Sequence, residues 1–354
     1  MCAVRTFDPF TPAPAADRMR IAVAQAVEPL ESRVLFAAGD LDLSFNGTGK
    51  VTLDYFNRND FGNAVAVQSD NKVLVAGTAV TGTATGTDVA VARFNVDGTL
   101  DTSFGTGGFV VTHLGGTGDS AFALAVQSDG RVVLAGGARA GATSTDFALV
   151  RYNVDGTLDS SFGTGGIVRT DFGAGANDVA TSLKLLGDGR IVVGGWTTVF
   201  ADQAFAAARY TSSGALDTTF GGGDGMVIAA YANGTGQAKA LAMLGDGSII
   251  LAGTLMDYSG FGNDFAAIKL LSDGTLDTAF GSNGWAIVNL GGESEAANGV
   301  VVADSGHIVL VGESTSTEAQ DVGLARLTSD GQLDETFGGG GTGFVLTDFA
   351  GGID

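Results

Sequence analysis

Cysteine is almost missing from this chain: Cys2 is the only one in 354 residues. No intramolecular disulfide is possible, so the fold must rest on packing. Proline is scarce as well, with 4 residues, and all of them (Pro9, Pro12, Pro14, Pro29) fall near the start. Glutamate is rare, at seven residues against 32 aspartates. Glutamate favours helices and aspartate favours turns, so the acid is of the turn-forming kind. No apolar run approaches the ~18 residues of a membrane-spanning helix. His113 and His307 are the only histidines, 194 positions apart, and no sequence cluster offers the three or four ligands that zinc takes. No Gly-x-Ser-x-Gly elbow is present to raise a nucleophilic serine. Positive charge is in deficit, 18 basic residues against 39 acidic, for a net −21. Such a surface repels phosphate backbones and anionic lipid, which argues against a nucleic-acid partner.

What remains is glycine, 57 residues of it, with abundant valine, threonine, phenylalanine and isoleucine. This is the composition of short strands joined by tight turns. The first 38 residues differ from the rest: they are charge-neutral and hold all the prolines. Their basic-then-apolar stretch, Arg20 to Val27, is a poor secretory segment. Residues 1–38 are therefore expected to be a disordered leader or an export segment, and residues 39–354 one repeat domain.

The repeat is marked by the phrase Leu-Asp-x-x-Phe, which ends at Phe45, Phe104, Phe162, Phe220, Phe280 and Phe337, at steps of 59, 58, 58, 60 and 57 residues. A period of this size signals a tandem architecture with one continuous core. Each repeat has four apolar segments too short for a typical helix of about 11 residues. In the second copy they are Phe109–Thr112, Ala121–Gln127, Arg131–Ala135 and Asp146–Asn153. The middle two are joined by Asp129-Gly130, a strong hairpin signal that recurs at Asp188-Gly189 and Asp246-Gly247. The third segment is apolar at nearly every position, as in Ile249-Ile-Leu-Ala252, which predicts burial on both faces. Four short antiparallel strands per repeat, covered by neighbours on either side, predict an all-β fold: a β-propeller of four-stranded blades. This accounting gives 21 strands, five complete repeats and the start of a sixth, with truncation at the C-terminus expected.

Two resemblances accompany these residues. Leu-Asp-x-x-Phe-Gly, then Asp-Gly-(Lys/Arg)-(Ile/Val)-x-(Val/Leu)-(Ala/Val)-Gly, then Asp-Phe-x-(Leu/Val)-x-Arg resemble the bacterial delta-60 repeat over residues 39–354. The resemblance implies a propeller and no established activity. Val27-Glu-Pro-Leu-Glu-Ser-Arg-Val-Leu-Phe-Ala-Ala38 resembles a segment near the N-terminus of large planctomycete surface proteins. It implies export and an extracellular or cell-surface location.

The most regular charged residues pair an acid with a base. The aspartates are Asp42, Asp101, Asp159, Asp217, Asp277 and Asp334; the bases, eight positions before the next aspartate, are Arg93, Arg151, Arg209, Lys269 and Arg326. Catalytic groups are not normally duplicated in every blade, so these are read as structural corners tying one blade's last strand to the next blade's first. Asn95, Asp97 and Asp101 resemble part of a calcium loop, but Arg93 occupies the first ligand position and no glutamate closes the loop. A plain Asx turn is favoured, and no cofactor is expected. Binding residues should instead lie in the loops that do not repeat. Met256, Asp257, Tyr258 and Phe261 form the aromatic-bearing cluster there. Trp196 and Trp285, beside core strands, read as packing. The function expected is a non-catalytic, exported scaffold for protein or glycan contact, monomeric within a larger polypeptide. The alternative is a propeller enzyme acting on polysaccharide, a glycosidase or lyase.

Overall fold

The computed structural model describes residues 40–82, 86–140, 144–258, 262–315 and 320–348. The expected leader, residues 1–38, lies outside them. Contacts divide the chain into Met1–Lys50 and Val51–Asp354. In the first unit the described residues form tight turns over the opening Leu-Asp-x-x-Phe, with the Phe45 amide donating to the Asp42 carbonyl at 3.0 Å.

The second unit is all-β, and the described residues contain no helix. Its first sheet is β1 (Asp60–Val67), β2 (Val73–Gly82), β3 (Gly86–Phe94) and β4 (Phe109–Thr112). The second is β5 (Ser120–Val126), β6 (Val132–Ala140), β7 (Ser144–Tyr152) and β8 (Ile167–Thr170). The third is β9 (Asp178–Leu185), β10 (Ile191–Val199), β11 (Asp202–Tyr210) and β12 (Met226–Ala229). The fourth is β13 (Gly234–Met243), β14 (Ile249–Asp257), β15 (Asn263–Leu270) and β16 (Trp285–Val288). The fifth is β17 (Ser294–Val302), β18 (Ile308–Thr315), β19 (Gln320–Leu327) and β20 (Phe344–Thr347). Each is an antiparallel meander in chain order, five sheets for five repeats. The first strand of each sheet packs against the first three strands of the sheet before it, so the first strands gather at the inner edge and the fourth strands lie outside. This is propeller packing.

The hairpins form where the sequence places them. Asn71, Gly130, Gly189, Gly247 and Gly306 close the β1–β2 turn and its equivalents, each with φ between 63° and 87°. That left-handed backbone is open to glycine and asparagine at little cost. The second strands are buried on both faces as expected: Val132 to Ala135 and Ile249 to Ala252 are sealed. Between the first two sheets, Leu74, Ala76, Val89 and Val91 meet Val132, Leu134, Ala148 and Val150.

One expectation changes. The segment after each Leu-Asp-x-x-Phe does not open a new sheet. Phe109–Thr112 pairs with β3, and Phe344–Thr347 pairs with β19 and forms the outer strand of the fifth sheet. The first such segment, from Val51, is not a strand. The described residues therefore hold 20 strands rather than 21. Sheet boundaries lie one strand out of phase with the repeat, because the corner folds the short strand back onto the strand before it.

Every inner strand also carries a bulge at the same place. The pairing of β1 with β2 skips Asn63, and the equivalent skips fall at Phe122, Thr181, Lys239 and Asn298. Opposite each bulge is a glycine: Gly77, Gly136, Gly195, Gly253 or Gly312. A Cβ on any of these would meet a backbone carbonyl oxygen of the inner strand at 1.8–2.0 Å. The glycine repeated at this place in all five second strands is thus a steric requirement of the bulge.

Candidate functional site

The sheets have two chemically different ends. At one end lie the Asp-Gly hairpins and the Arg–Asp corners, which repeat. At the other lie the loops between second and third strands, which do not.

At the repeating end, Arg93 donates from Nε to Asp101 Oδ2 at 2.7 Å, and Arg151 and Arg209 do the same to Asp159 and Asp217 at 2.8 and 2.7 Å. Lys269 and Arg326 reach Asp277 and Asp334 at 3.1 and 2.7 Å. The other carboxylate oxygen accepts from the amide and hydroxyl two residues on, as Asp159 does from Ser161 at 3.0 and 2.6 Å. Each guanidinium also covers the phrase's phenylalanine: Arg151 lies 4.4 Å from the Phe162 ring centroid. The ion pair ties the third strand to the connection that leads into the fourth strand of the same sheet, not two sheets together as expected, because of the phase change. The link to the next sheet comes from the remaining guanidinium nitrogen: Arg93 donates to the Val154 carbonyl at 2.7 Å, Arg151 to Ser212 at 2.6 Å and Arg209 to Ser272 at 2.5 Å.

A second basic side chain, missed in the sequence, joins four of these carboxylates from the position after the hairpin turn. Lys72 meets Asp101 at 2.7 Å, Arg131 meets Asp159 at 3.3 Å, Arg190 meets Asp217 at 3.1 Å and His307 meets Asp334 at 3.3 Å. The Asp-Gly-(Lys/Arg) motif was the available signal. Burial works to raise the Asp159 carboxyl, but the Ser161 hydrogen bonds and the Arg151 charge outweigh it and hold the group below its usual range. Asp42 differs: it is exposed, its described partner is Ser44 at 2.6 Å, and among the described residues it has no ion pair.

Asp97 accepts from the Thr99 amide and hydroxyl at 3.0 and 2.6 Å, Asn95 directs its amide nitrogen at Thr99, and Asp101 faces Arg93 and Lys72. That is Asx-turn geometry.

At the variable end, Met256 and Tyr258 are exposed, and the Tyr258 hydroxyl donates to Asp202 on the preceding sheet. That hydrogen bond raises the Tyr258 hydroxyl above its ordinary value. Phe261 lies outside the described residues. Two further groups gather here that sequence spacing hid. Asp88, His113 and Asp119 form one, and Asp146, Asp171 and Asp178 the other, each with ligand atoms within 4.8 Å of one another. Both are tied into the fold. His113 Nδ1 sits 2.8 Å from Asp88, and Asp119 accepts the Leu114 and Arg139 amides at 2.7 and 3.1 Å. Asp178 accepts the Phe172 amide at 2.9 Å and the Thr197 hydroxyl at 2.5 Å. Burial, then the charge of Asp171, raises the Asp146 carboxyl.

Beside these loops, a cleft of about 470 Å³ runs along the inner edges of the second, third and fourth sheets. Its walls include Phe122, Val179, Thr181, Trp196, Gln237 and Lys239. Three of the six are bulge residues: the bulge turns one side chain out of the alternation and towards the inner edge. The bulge residues also link neighbouring sheets. Asn63 donates to the Ala121 carbonyl at 2.8 Å, Thr181 to Ala238 at 3.0 Å, and Lys239 to the Asn298 side chain at 3.0 Å. Phe122 is exposed, and Trp196 is half-buried. Trp285, by contrast, is core, edge-on to Phe205 and Tyr231 at centroid distances of 5.1 and 5.4 Å. The two tryptophans, alike in sequence context, part company here. No carboxylate lines the described cleft.

A family profile described as "Domain of unknown function (DUF5122) beta-propeller" matches residues 68–104, 127–162, 186–220, 244–280 and 304–337, together just over half of the chain. Each match runs from a hairpin turn to a corner phenylalanine. No curated protein matches the sequence. Among solved structures, a family 25 polysaccharide lyase, an ulvan lyase, is similar with TM-score 0.49 and 11% identity, over 80% of this chain and 68% of that one. An α-L-arabinofuranosidase from Clostridium thermocellum gives TM-score 0.37 and 7% identity, over 77% and 92%. A virginiamycin B lyase from Staphylococcus aureus gives 0.35 and 13%, over 79% and 85%. Likenesses at this level carry nothing about chemistry.

Proposed function

The chain belongs to the DUF5122 β-propeller family, and from that premise we propose that it is a non-catalytic binding module whose ligand is a glycan held in the inner cleft. The observation that supports this is the composition of the cleft wall. Phe122 and Trp196 offer faces for sugar rings, and Thr181, Gln237 and Lys239 offer hydrogen-bonding groups, all on rigid strands. A sugar presents apolar C–H faces and many hydroxyls, so an aromatic platform flanked by amide, hydroxyl and ammonium groups is complementary to it. The bulge positions that supply this wall also vary from sheet to sheet: Asn63, Phe122, Thr181, Lys239, Asn298. Corner residues repeat because each does the same structural job, whereas the cleft positions carry different chemistry.

Hydrolysis of a glycoside takes two carboxylates about 5–9.5 Å apart across the sugar ring. A cleft lining without a carboxylate favours binding over glycoside hydrolysis. We further read the repeat as the delta-60 type and the Val27–Ala38 segment as an export signal of the planctomycete kind, which puts the module outside the cell.

A glycan array run beside a reducing-sugar and unsaturated-product assay tests the binding claim. The expected result is binding without turnover, weakened about tenfold by Trp196→Ala and unaffected by Trp196→Phe to within about threefold. Turnover of any bound glycan would instead establish the lyase or glycosidase reading. Binding indifferent to Trp196→Ala would move the site elsewhere.

A further inference from the structure

Buried carboxylates are compensated differently at the two ends of the sheets. At a corner, one buried carboxylate meets permanent cations, as Asp101 meets Arg93 and Lys72 at 2.7 Å each. At the variable end, between the first and second sheets, two buried carboxylates share a single imidazole. The side chains of Asp88 and Asp119 are 4% and 0% exposed, and among the described residues His113 is the one basic side chain that reaches either. Buried carboxylates that lack a full counter-charge are costly.

The strands set this arrangement. Asp88 stands on β3, His113 directly follows β4, and Asp119 directly precedes β5. The Asp119 amide donates to the Thr87 carbonyl at 2.9 Å, which holds the two aspartates side by side. His113 Nδ1 lies 2.8 Å from Asp88 Oδ1 and 3.8 Å from Asp119 Oδ2. The Thr81 hydroxyl donates to the other oxygen of Asp88, and the Leu114 and Arg139 amides donate to Asp119, so both carboxylates are fixed in place.

The same three places recur at the next interfaces, and they show that the fold does not require the set. They hold Asp146, Asp171 and Asp178 after the second sheet, and Asp264, Asn289 and Glu295 after the fourth. After the third sheet they hold Ala204, Ala230 and Gly236. There all three polar side chains are gone together, and the strands still pair in the equivalent register. Groups that are present or absent as a unit, with no consequence for the pairing, serve something held between them. Of the four places, the first alone offers an imidazole nitrogen.

We propose that Asp88, His113 and Asp119 bind one divalent transition-metal ion of the zinc type. Calcium takes six to eight oxygens, whereas an imidazole nitrogen with carboxylate oxygens is a donor set suited to zinc and its neighbours. Ligand atoms about 2.0 Å from one ion at tetrahedral angles lie roughly 3.3 Å apart. The two nitrogen–oxygen separations, 2.8 and 3.8 Å, straddle that value. The ion supplies the positive charge that the two buried carboxylates lack, and Thr81 and the two backbone amides orient the ligands from behind. The imidazole is 46% exposed, which leaves a further coordination position open to water.

The test is calorimetric titration of the full chain, stripped with a chelator, with zinc chloride, and a parallel titration with cobalt(II) chloride followed by visible absorption. Wild type, His113→Ala and His307→Ala are compared. Wild type and His307→Ala should bind one equivalent alike, and His113→Ala should bind it at least about tenfold more weakly. Cobalt should give visible ligand-field bands with the wild type and not with His113→Ala. Zinc should raise the melting temperature of the wild type and leave that of His113→Ala unmoved. A wild type that binds no zinc, binding that survives His113→Ala, or binding that falls in His307→Ala would each overturn the proposal. If His113→Ala melts below the wild type without metal, His113→Asn replaces it, since the amide keeps a hydrogen-bond donor for Asp88 and removes the imidazole.

Discussion

Asp42 and Asp159 carry the same letter in the same repeated phrase, yet their surroundings differ. Asp159 is buried, faces Arg151 at 2.8 Å and Arg131 at 3.3 Å, and lies under a guanidinium that also caps Phe162. Asp42 is exposed and bonds to Ser44. Removing one member of a buried pair leaves the other charge uncompensated, which is costlier than the net worth of the pair. Asp159→Asn should therefore lower unfolding free energy by about 2–4 kcal/mol, while Asp42→Asn should leave the denaturation midpoint unchanged within error. Chemical denaturation of both variants checks the contrast. The pH dependence has a definite sign. The folded carboxyl of Asp159 is depressed, so its contribution is fully present above the unfolded value of about 3.9 and is lost as pH falls through the lower folded value. The gap between wild type and Asp159→Asn should be flat from neutral pH down to about pH 5 and close only below about pH 4. Sequence made the Arg–Asp pairing legible through its period. The second cation was harder to see: the Asp-Gly-(Lys/Arg) motif marks the residue, but Arg131 and Asp159 are 28 positions apart and meet only once the sheet has formed.

Strand elements were legible to different degrees. Tight turns and doubly apolar second strands leave marks within a few residues: Asp129-Gly130 at a hairpin, Ile249-Ile-Leu-Ala252 in a core. The phase of the sheets leaves no such mark. Phe109–Thr112 has one free choice, to pair backward with β3 or forward with β5, and its four side chains suit either. The bulges were hidden for a related reason. An inserted residue breaks the alternation by one, so Ala121-Phe122-Ala123 reads as noise rather than as a side chain turned inwards. The glycine opposite is the better sign, and it can be tested. Gly195→Ala would place a Cβ 2.0 Å from the Val179 carbonyl oxygen, a backbone atom that cannot move away without unpairing the strand. It should cost more than about 2 kcal/mol. Gly187→Ala, in the neighbouring turn, meets nothing within 4 Å and should be neutral or stabilising by up to about 1 kcal/mol. Thermal melts should show a clear drop for Gly195→Ala and no drop, or a rise, for Gly187→Ala. Equal shifts would mean that the bulge tolerates a side chain.

At the scale of the whole molecule the governing fact is charge. The chain carries −21, and eight of its 18 basic residues pair with corner aspartates, with Arg93, Arg151 and Arg209 buried there. Other carboxylates crowd one another, as at Asp146, Asp171 and Asp178, where Arg169 reaches Asp146 at 3.8 Å. Repulsion among exposed like charges is screened over about 8–10 Å at 0.1–0.15 M salt, whereas buried pairs are screened far less. Two consequences should appear together. The melting temperature should rise from low to moderate ionic strength, because screening relieves the exposed acid. The penalty of Asp159→Asn should hardly change, because its partners are inside.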